Sequence, residues 1–170
     1  MTLDQVTQLL IRFFADGGVV LVVLIGGAAL LFKIPKGQRW QAYLRILMAG
    51  LIAYLVAQLL ASIYQPETER PFQLLGQQAG ALYLNNPGFP SDHTLFVTVI
   101  AAAVWFETRM KKTTILLAVL VVLIAVARVA AGVHTPLDVI GGIVIGLVGA
   151  LWYFNKPSGQ KRVQNGKSSR

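Results

Sequence analysis

A chain of 170 residues that is 55% hydrophobic and only 13% charged is too apolar for an ordinary water-soluble domain. Its composition suits a multi-span membrane protein. It has no cysteine, which excludes disulfides and thiolate metal sites. Its net charge of +8 comes from residues in loops between apolar runs, so membrane topology explains it better than a nucleic-acid partner, and none is expected.

Thr2 to Ala15 places Val6, Leu9, Leu10, Phe13 and Phe14 at helical spacing. Arg12 and the short length argue against a span, so an amphipathic helix lying in the membrane interface is expected. Asp4 replaces a basic start and no small-residue cleavage pattern follows, which argues against a cleaved signal peptide. Gly17 to Phe32 is the first apolar run, ended by Lys33, Lys36 and Arg39, and Ile46 to Tyr64 is the second. A polar stretch from Gln65 to Ser91 contains Arg70-Pro71, an expected short helix over Phe72 to Leu84, and turn chemistry at Asn85-Asn86-Pro87-Gly88. Asp92 to Phe106, Thr113 to Ala131 and Pro136 to Phe154 are the third, fourth and fifth runs.

The expected fold is therefore all-α: an integral membrane helical bundle of about five transmembrane helices plus an N-terminal interfacial helix. One domain covers residues 1–155, and a basic cytoplasmic tail, expected to be disordered, covers 156–170. Gly142 and Gly146, four apart in the last span, are expected to pack within the bundle rather than across a dimer; Gly26-Gly27-Ala28 reads the same way.

Twelve basic residues (Lys33, Lys36, Arg39, Arg45, Arg109, Lys111, Lys112, Lys156, Lys161, Arg162, Lys167 and Arg170) fall on one side of a five-span alternation. The positive-inside rule puts that side in the cytoplasm. Arg12, Arg70 and Arg128 fall on the other, extracytoplasmic side, and two of these three neighbour the chain's two histidines.

Three stretches share that outer face: Arg70-Pro71, then Pro90-Ser91-Asp92-His93, then Arg128 with His134 and Asp138. Guanidinium groups suit the oxygens of a phosphate because they offer planar, paired donors. Ser91 adds a hydroxyl where a helix begins, and the free N–H groups of that first turn point at any anion bound there. One histidine can attack phosphorus while the other protonates the leaving oxygen. Gly132 interrupts one helical pattern and Pro136 opens the next, so Asp138 lies in a first turn, one helical turn from His134. There it can hold the imidazole in the tautomer whose free nitrogen faces the substrate.

Each residue also has an ordinary reading. Arg70 can be a loop charge paired to Glu67 or Glu69, Ser91 a plain N-cap, and His93 an interfacial histidine. Arg128 can snorkel to the headgroups, and Asp138 can serve only the helix dipole. Those readings leave unexplained why the outer-face cations and both histidines gather at three helix boundaries. A metal site built from His93, His134, Asp92 and Asp138 is a further alternative, but no closely spaced ligand pair supports it and it sets both arginines beside a cation. No metal or cofactor is expected.

The pattern R-P, then P-S-x-H, then R-x5-H-x3-D resembles the three signatures of the type-2 phosphatidic-acid phosphatase superfamily, over about Gln65 to Gly142. The Pro-Ser-Asp-His and Gly-Val-His-x-Pro-Leu-Asp-Val wordings are most similar to its bacterial undecaprenyl-diphosphatases. The resemblance implies that His134 is the nucleophile, Asp138 its partner, and His93 the general acid and later the base. It implies that Arg70, Arg128, Ser91 and the Asp92 backbone N–H hold the phosphate. The reaction it implies is dephosphorylation of a membrane lipid phosphate or diphosphate at the extracytoplasmic face of the cell (inner) membrane. Undecaprenyl diphosphate is the first choice of substrate; phosphatidic acid or phosphatidylglycerol phosphate is the alternative. A non-catalytic lipid-phosphate binder or transporter is the rival class. Three positions depart from the family pattern: Ile63 stands where a lysine is usual, Ala127 where a serine is usual, and Asp92 where glycine is commoner.

Overall fold

The computed structural model describes residues 2–64, 69–84 and 88–154, and the account below concerns these. The expected tail, the Gln65–Glu67 stretch and the Asn85-Asn86-Pro87 turn lie outside them. The helices are α1 (Leu3–Arg12), α2 (Gly18–Lys33), α3 (Arg39–Ile63), α4 (Pro71–Leu74), α5 (Asp92–Thr108), α6 (Lys111–Ala130) and α7 (Pro136–Ala150). A last 3-10 turn, Leu151–Phe154, extends α7. The chain is an all-α integral membrane bundle, and it is a multi-pass membrane protein.

Four helical stretches are long and apolar enough to cross a membrane: Leu3–Lys33, Lys36–Ile63, Lys111–Ala130 and Pro136–Phe154. The third apolar run forms α5, which at 17 residues is shorter. It rises about 26 Å against a hydrocarbon core of roughly 30 Å. It is the central post of the bundle, packed against α2, α3, α6 and α7.

The N-terminal segment differs from the expectation of a separate interfacial helix. The Thr2 capping box starts α1, which buries no residue. It then runs through a π-helical turn, Phe13–Gly17, directly into α2. The joined 31 residues span about 46 Å, more than the hydrocarbon core, so an exposed amphipathic end protrudes.

Small residues let the helices approach closely. A Cβ on Gly142 would run into the Thr94 hydroxyl and come within 2.5 Å of the Ser91 carbonyl oxygen. One on Gly146 would meet Thr98 side-chain atoms at 2.9 Å. Both contacts are with α5, so the pattern packs within the bundle. Gly149 faces Ala53 of α3, and Gly26 faces Ile100 of α5, whereas Gly27 meets nothing within 4 Å.

The α5–α7 contact also carries polar bonds at the end where the candidate site lies. The Ser91 N–H donates to the Asp138 carbonyl at 2.9 Å, and the Thr94 hydroxyl donates to the Val139 carbonyl at 3.2 Å. At the opposite end, Arg45 of α3 makes a two-pronged pair with Glu107 of α5, Nε to Oε1 at 2.7 Å and Nη2 to Oε2 at 2.6 Å. Phe106 stacks on Tyr153 beside it, centroids 4.8 Å apart.

The expected helix over Phe72 to Leu84 is only one turn long. Gly76 takes a positive φ of 63°, a conformation that ends a helix and suits glycine. The chain then runs along the bundle end, where the Gly80 N–H donates to the Ala131 carbonyl at 3.0 Å.

Candidate active site

Four elements deliver the site residues to one end of the bundle. Arg70 immediately precedes α4, which Pro71 opens; its backbone N–H donates to Gln73 Oε1 at 2.8 Å. The Phe72 N–H donates to the Gly132 carbonyl at 3.0 Å, which ties this turn to the α6–α7 connection. Gly132 sits at φ 68°, and a side chain there would press on Phe72 Cβ at 3.3 Å. Its glycine identity therefore serves both the turn and the close approach. His93 and Asp92 come from the first turn of α5, and Arg128 from the last turn of α6.

His134 precedes the Thr135 N-cap of α7. Thr135 and Asp138 form a reciprocal capping box: the Asp138 N–H donates to Thr135 Oγ1 at 3.2 Å, and the Thr135 N–H donates to Asp138 Oδ2 at 2.8 Å. The same Oδ2 stands 3.5 Å from His134 Nδ1. That is longer than a formed hydrogen bond, and it points the Nδ1 edge of the ring at the carboxylate.

Arg70, Asp92, His93, Arg128 and His134, with Leu84, line a single pocket. It encloses about 10 Å³, room for roughly one water molecule. Asp138 lies behind His134. Ser91, by contrast, does not line the pocket. It is the N-cap of α5 but makes no side-chain cap bond, and its buried Oγ has no hydrogen-bond partner.

Neither arginine is a solvated charge. Arg70 is 7% exposed and Arg128 only 1%, so Arg128 does not snorkel. Arg70 donates to the Val133 carbonyl and, at 3.0 Å, to the Leu84 carbonyl, and it lies over the Tyr83 ring. Arg128 Nη1 donates to the Leu82 carbonyl at 2.7 Å and to Asp16 Oδ1 at 3.3 Å, while its Nε is buried without a partner. Burial lowers the Arg70 pKa, and Asp138 acts against that. Burial also lowers the His134 pKa; the Asp138 contact opposes this and the two arginines reinforce it. A neutral imidazole beside fixed guanidinium groups suits attack on a phosphate.

Among the described residues, no three His, Cys, Asp or Glu side chains group as metal ligands. Ile63, where the family pattern has a lysine, ends α3 and is 74% exposed, away from the pocket lining. Sequence reasoning missed Leu84, which lines the pocket, and Asp16, which contacts Arg128 from outside it. The partners of Asp16 lie 66 and 112 positions away, so no local spacing could connect them. The available signal was an acidic residue at the head of an apolar run.

The PAP2 superfamily model matches residues 42–162. The "Putative undecaprenyl-diphosphatase YbjG" of Escherichia coli is 32% identical over 114 residues, 65% of this chain and 54% of that protein. The "Bacitracin transport permease protein BcrC" of Bacillus licheniformis is 33% identical over 114 residues, 62% of this chain and 52% of that protein. The matched stretch thus spans about half the length of these relatives. No solved structure matches.

Proposed function

This chain belongs to the PAP2 superfamily, and on that premise we propose that it hydrolyses the phosphate or diphosphate of a membrane lipid at the extracytoplasmic face of the cell membrane. Undecaprenyl diphosphate is the first choice of substrate, after the name of the Escherichia coli relative. The observation that carries the reading is a buried His134, backed by Asp138 at 3.5 Å, in a pocket lined by two buried arginines and a second histidine.

Asp138 favours the tautomer with its proton on Nδ1, leaving the Nε2 lone pair for phosphorus. Attack forms an N–P bond as the bond from phosphorus to the leaving oxygen breaks. His93 gives that oxygen a proton, and the incoming phosphate dianion favours a protonated His93. The product of this step is a phosphohistidine. Water then loses a proton to His93, attacks phosphorus and breaks the N–P bond, freeing inorganic phosphate and restoring His134. Arg70 and Arg128 stabilise charge on the equatorial oxygens, where phosphoryl transfer needs it. The amino terminus of α5, which follows Ser91 and includes the Asp92 N–H, adds positive potential. The guanidinium groups supply the field that a metal would otherwise provide, so activity is expected to survive chelation.

The test is phosphate release in detergent, with chelator present, from undecaprenyl diphosphate, phosphatidic acid and phosphatidylglycerol phosphate. Release together with acid-labile phosphate trapped on His134 supports the reading. Binding of all three lipids without release would favour a non-catalytic binder or transporter; the printed name of the Bacillus relative is that of a transport protein. Loss on chelation, recovered by one divalent metal, would favour the metal-site alternative. Orientation is tested separately. A cysteine at Gln77 should react with an impermeant thiol reagent on intact cells and one at Lys112 should not; the reverse labelling would invert the topology.

A further inference from the structure

The family match begins at residue 42, yet Arg128 is held by a residue well before it. We propose that Asp16 is a positioning residue of the active site: it fixes one corner of the Arg128 guanidinium so that the remaining edge is presented to phosphate. This rests on the reading of Arg128 as a phosphate ligand.

The argument starts from the backbone. Asp16 lies in the π-helical turn Phe13–Gly17, and such turns inside α-helices are frequent at functional sites. The preceding Ala15 is fully buried and packs in one cluster with Phe72, Ala81, Ala127, Ala131 and Val133. The turn is therefore seated against the residues that flank Arg70, Arg128 and His134. From that seat both Asp16 oxygens accept the Leu82 N–H, each at 3.2 Å, and Oδ1 also accepts Arg128 Nη1 at 3.3 Å. Nη1 in turn donates to the Leu82 carbonyl at 2.7 Å. The Leu82 backbone, the Asp16 carboxylate and one guanidinium nitrogen thus close a ring of hydrogen bonds.

A guanidinium is planar, so fixing one nitrogen by two acceptors sets the plane in which its other donors lie. Arg128 Nε, buried and without a partner, lies in that plane. Paired recognition of phosphate depends on that orientation. The role assigned to Asp16 is geometric rather than electrostatic. Oδ1 alone receives both the Leu82 and the Arg128 donors, and an asparagine oxygen can do the same.

The test compares steady-state kinetics on a short-chain lipid phosphate with binding of orthovanadate to the full chain in detergent. Asp16→Asn should stay within about 3-fold of wild type. Asp16→Ala should lose about 10- to 100-fold in kcat/KM, the scale of a misplaced binding group, chiefly through KM, with vanadate binding weakened in parallel. In an Arg128→Lys background, Asp16→Ala should add less than about 2-fold, because coupled residues are not additive. Equal losses in both backgrounds, wild-type kinetics for Asp16→Ala, or an asparagine variant as impaired as alanine would each overturn the proposal. If Asp16→Ala does not fold, Asp16→Glu carries the test. It keeps the charge but moves it one methylene outward, and an unchanged KM would overturn the proposal. If the wild type releases no phosphate from any lipid, the functional reading fails separately, and vanadate affinity still reports whether Asp16 acts through Arg128.

Discussion

The two ends of this bundle each hold an arginine and a carboxylate, and they use them differently. At the end reached by the carboxyl terminus of α5, Arg45 and Glu107 match fork to fork at 2.7 and 2.6 Å. At the end reached by its amino terminus, Arg128 touches Asp16 through a single nitrogen at 3.3 Å, leans on a backbone carbonyl and leaves a buried Nε without a partner. His134 Nδ1 and Ser91 Oγ, both buried, also lack hydrogen bonds there. A buried donor without a partner costs roughly 1 to 3 kcal/mol. At the Arg45–Glu107 end, among the described residues, only the Tyr153 hydroxyl is buried without a partner. The difference separates charges that complete each other from charges held only at their edges, and it is the second kind that the proposed reaction would use.

The sharpest way to break that comparison is to remove one imidazole. His134→Ala should abolish trapped phosphoenzyme and lower turnover by about 10⁴-fold or more, as loss of a nucleophile does. His93→Ala should cost about 10²- to 10⁴-fold, the worth of general acid help, and an aryl phosphate with a good leaving group should recover part of it. Phosphate trapped on His93, or near-normal turnover of His134→Ala, would reverse the assignment.

The pH profile gives a smaller effect of defined sign. The attacking imidazole must be neutral, and burial moves its protonation to lower pH than the ordinary histidine value of 6.5. Activity should therefore hold as pH falls past 6.5, then drop about tenfold per unit below the displaced value. Because Asp138 raises the His134 value against that burial, Asp138→Asn should move the acid limb further down as well as lowering the plateau. An acid limb of kcat/KM above 6.5 would count against a buried neutral His134.

At the other end the expected effects are on stability. Glu107→Gln should leave kcat within about 2-fold while costing about 1 to 3 kcal/mol, because the carboxylate is buried and its arginine loses a charged partner. Thermal unfolding in detergent beside kinetics separates the two; a large kinetic loss without destabilisation would erase the distinction between the ends. The smallest effect belongs to Ile63→Lys. With Ile63 74% exposed at the end of α3, the lysine should leave vanadate affinity unchanged. Tighter binding would show that the position reaches the pocket.

What could be read in the sequence was local. Gly132, Thr135, Pro136 and Asp138 announce a helix end and a helix start within a few residues, so the His134–Asp138 geometry followed from spacing. The apolar runs located the long helices because each is punctuated by charges or by proline. What escaped was non-local or carried by backbone. Asp16 meets Arg128 across 112 positions, and the carbonyls of Leu82, Leu84 and Val133 that hold the arginines have no side-chain signature. The helix expected over Phe72 to Leu84 failed because Gly76 turns the chain and Gly80 pairs with Ala131 instead.

Asp138 carries one further consequence. Its Oδ2 accepts the Thr135 N–H at 2.8 Å and faces His134 Nδ1 at 3.5 Å, so the atom that starts a helix also aims the imidazole. In genetic terms, one codon answers to two selections. Most replacements at 138 lose the acceptor for the Thr135 N–H and the aim together, so a screen for function and a screen for expression would both mark them. Asparagine can keep an oxygen for the Thr135 N–H while removing the charge that faces the imidazole, and so separates heredity's two reasons for the residue.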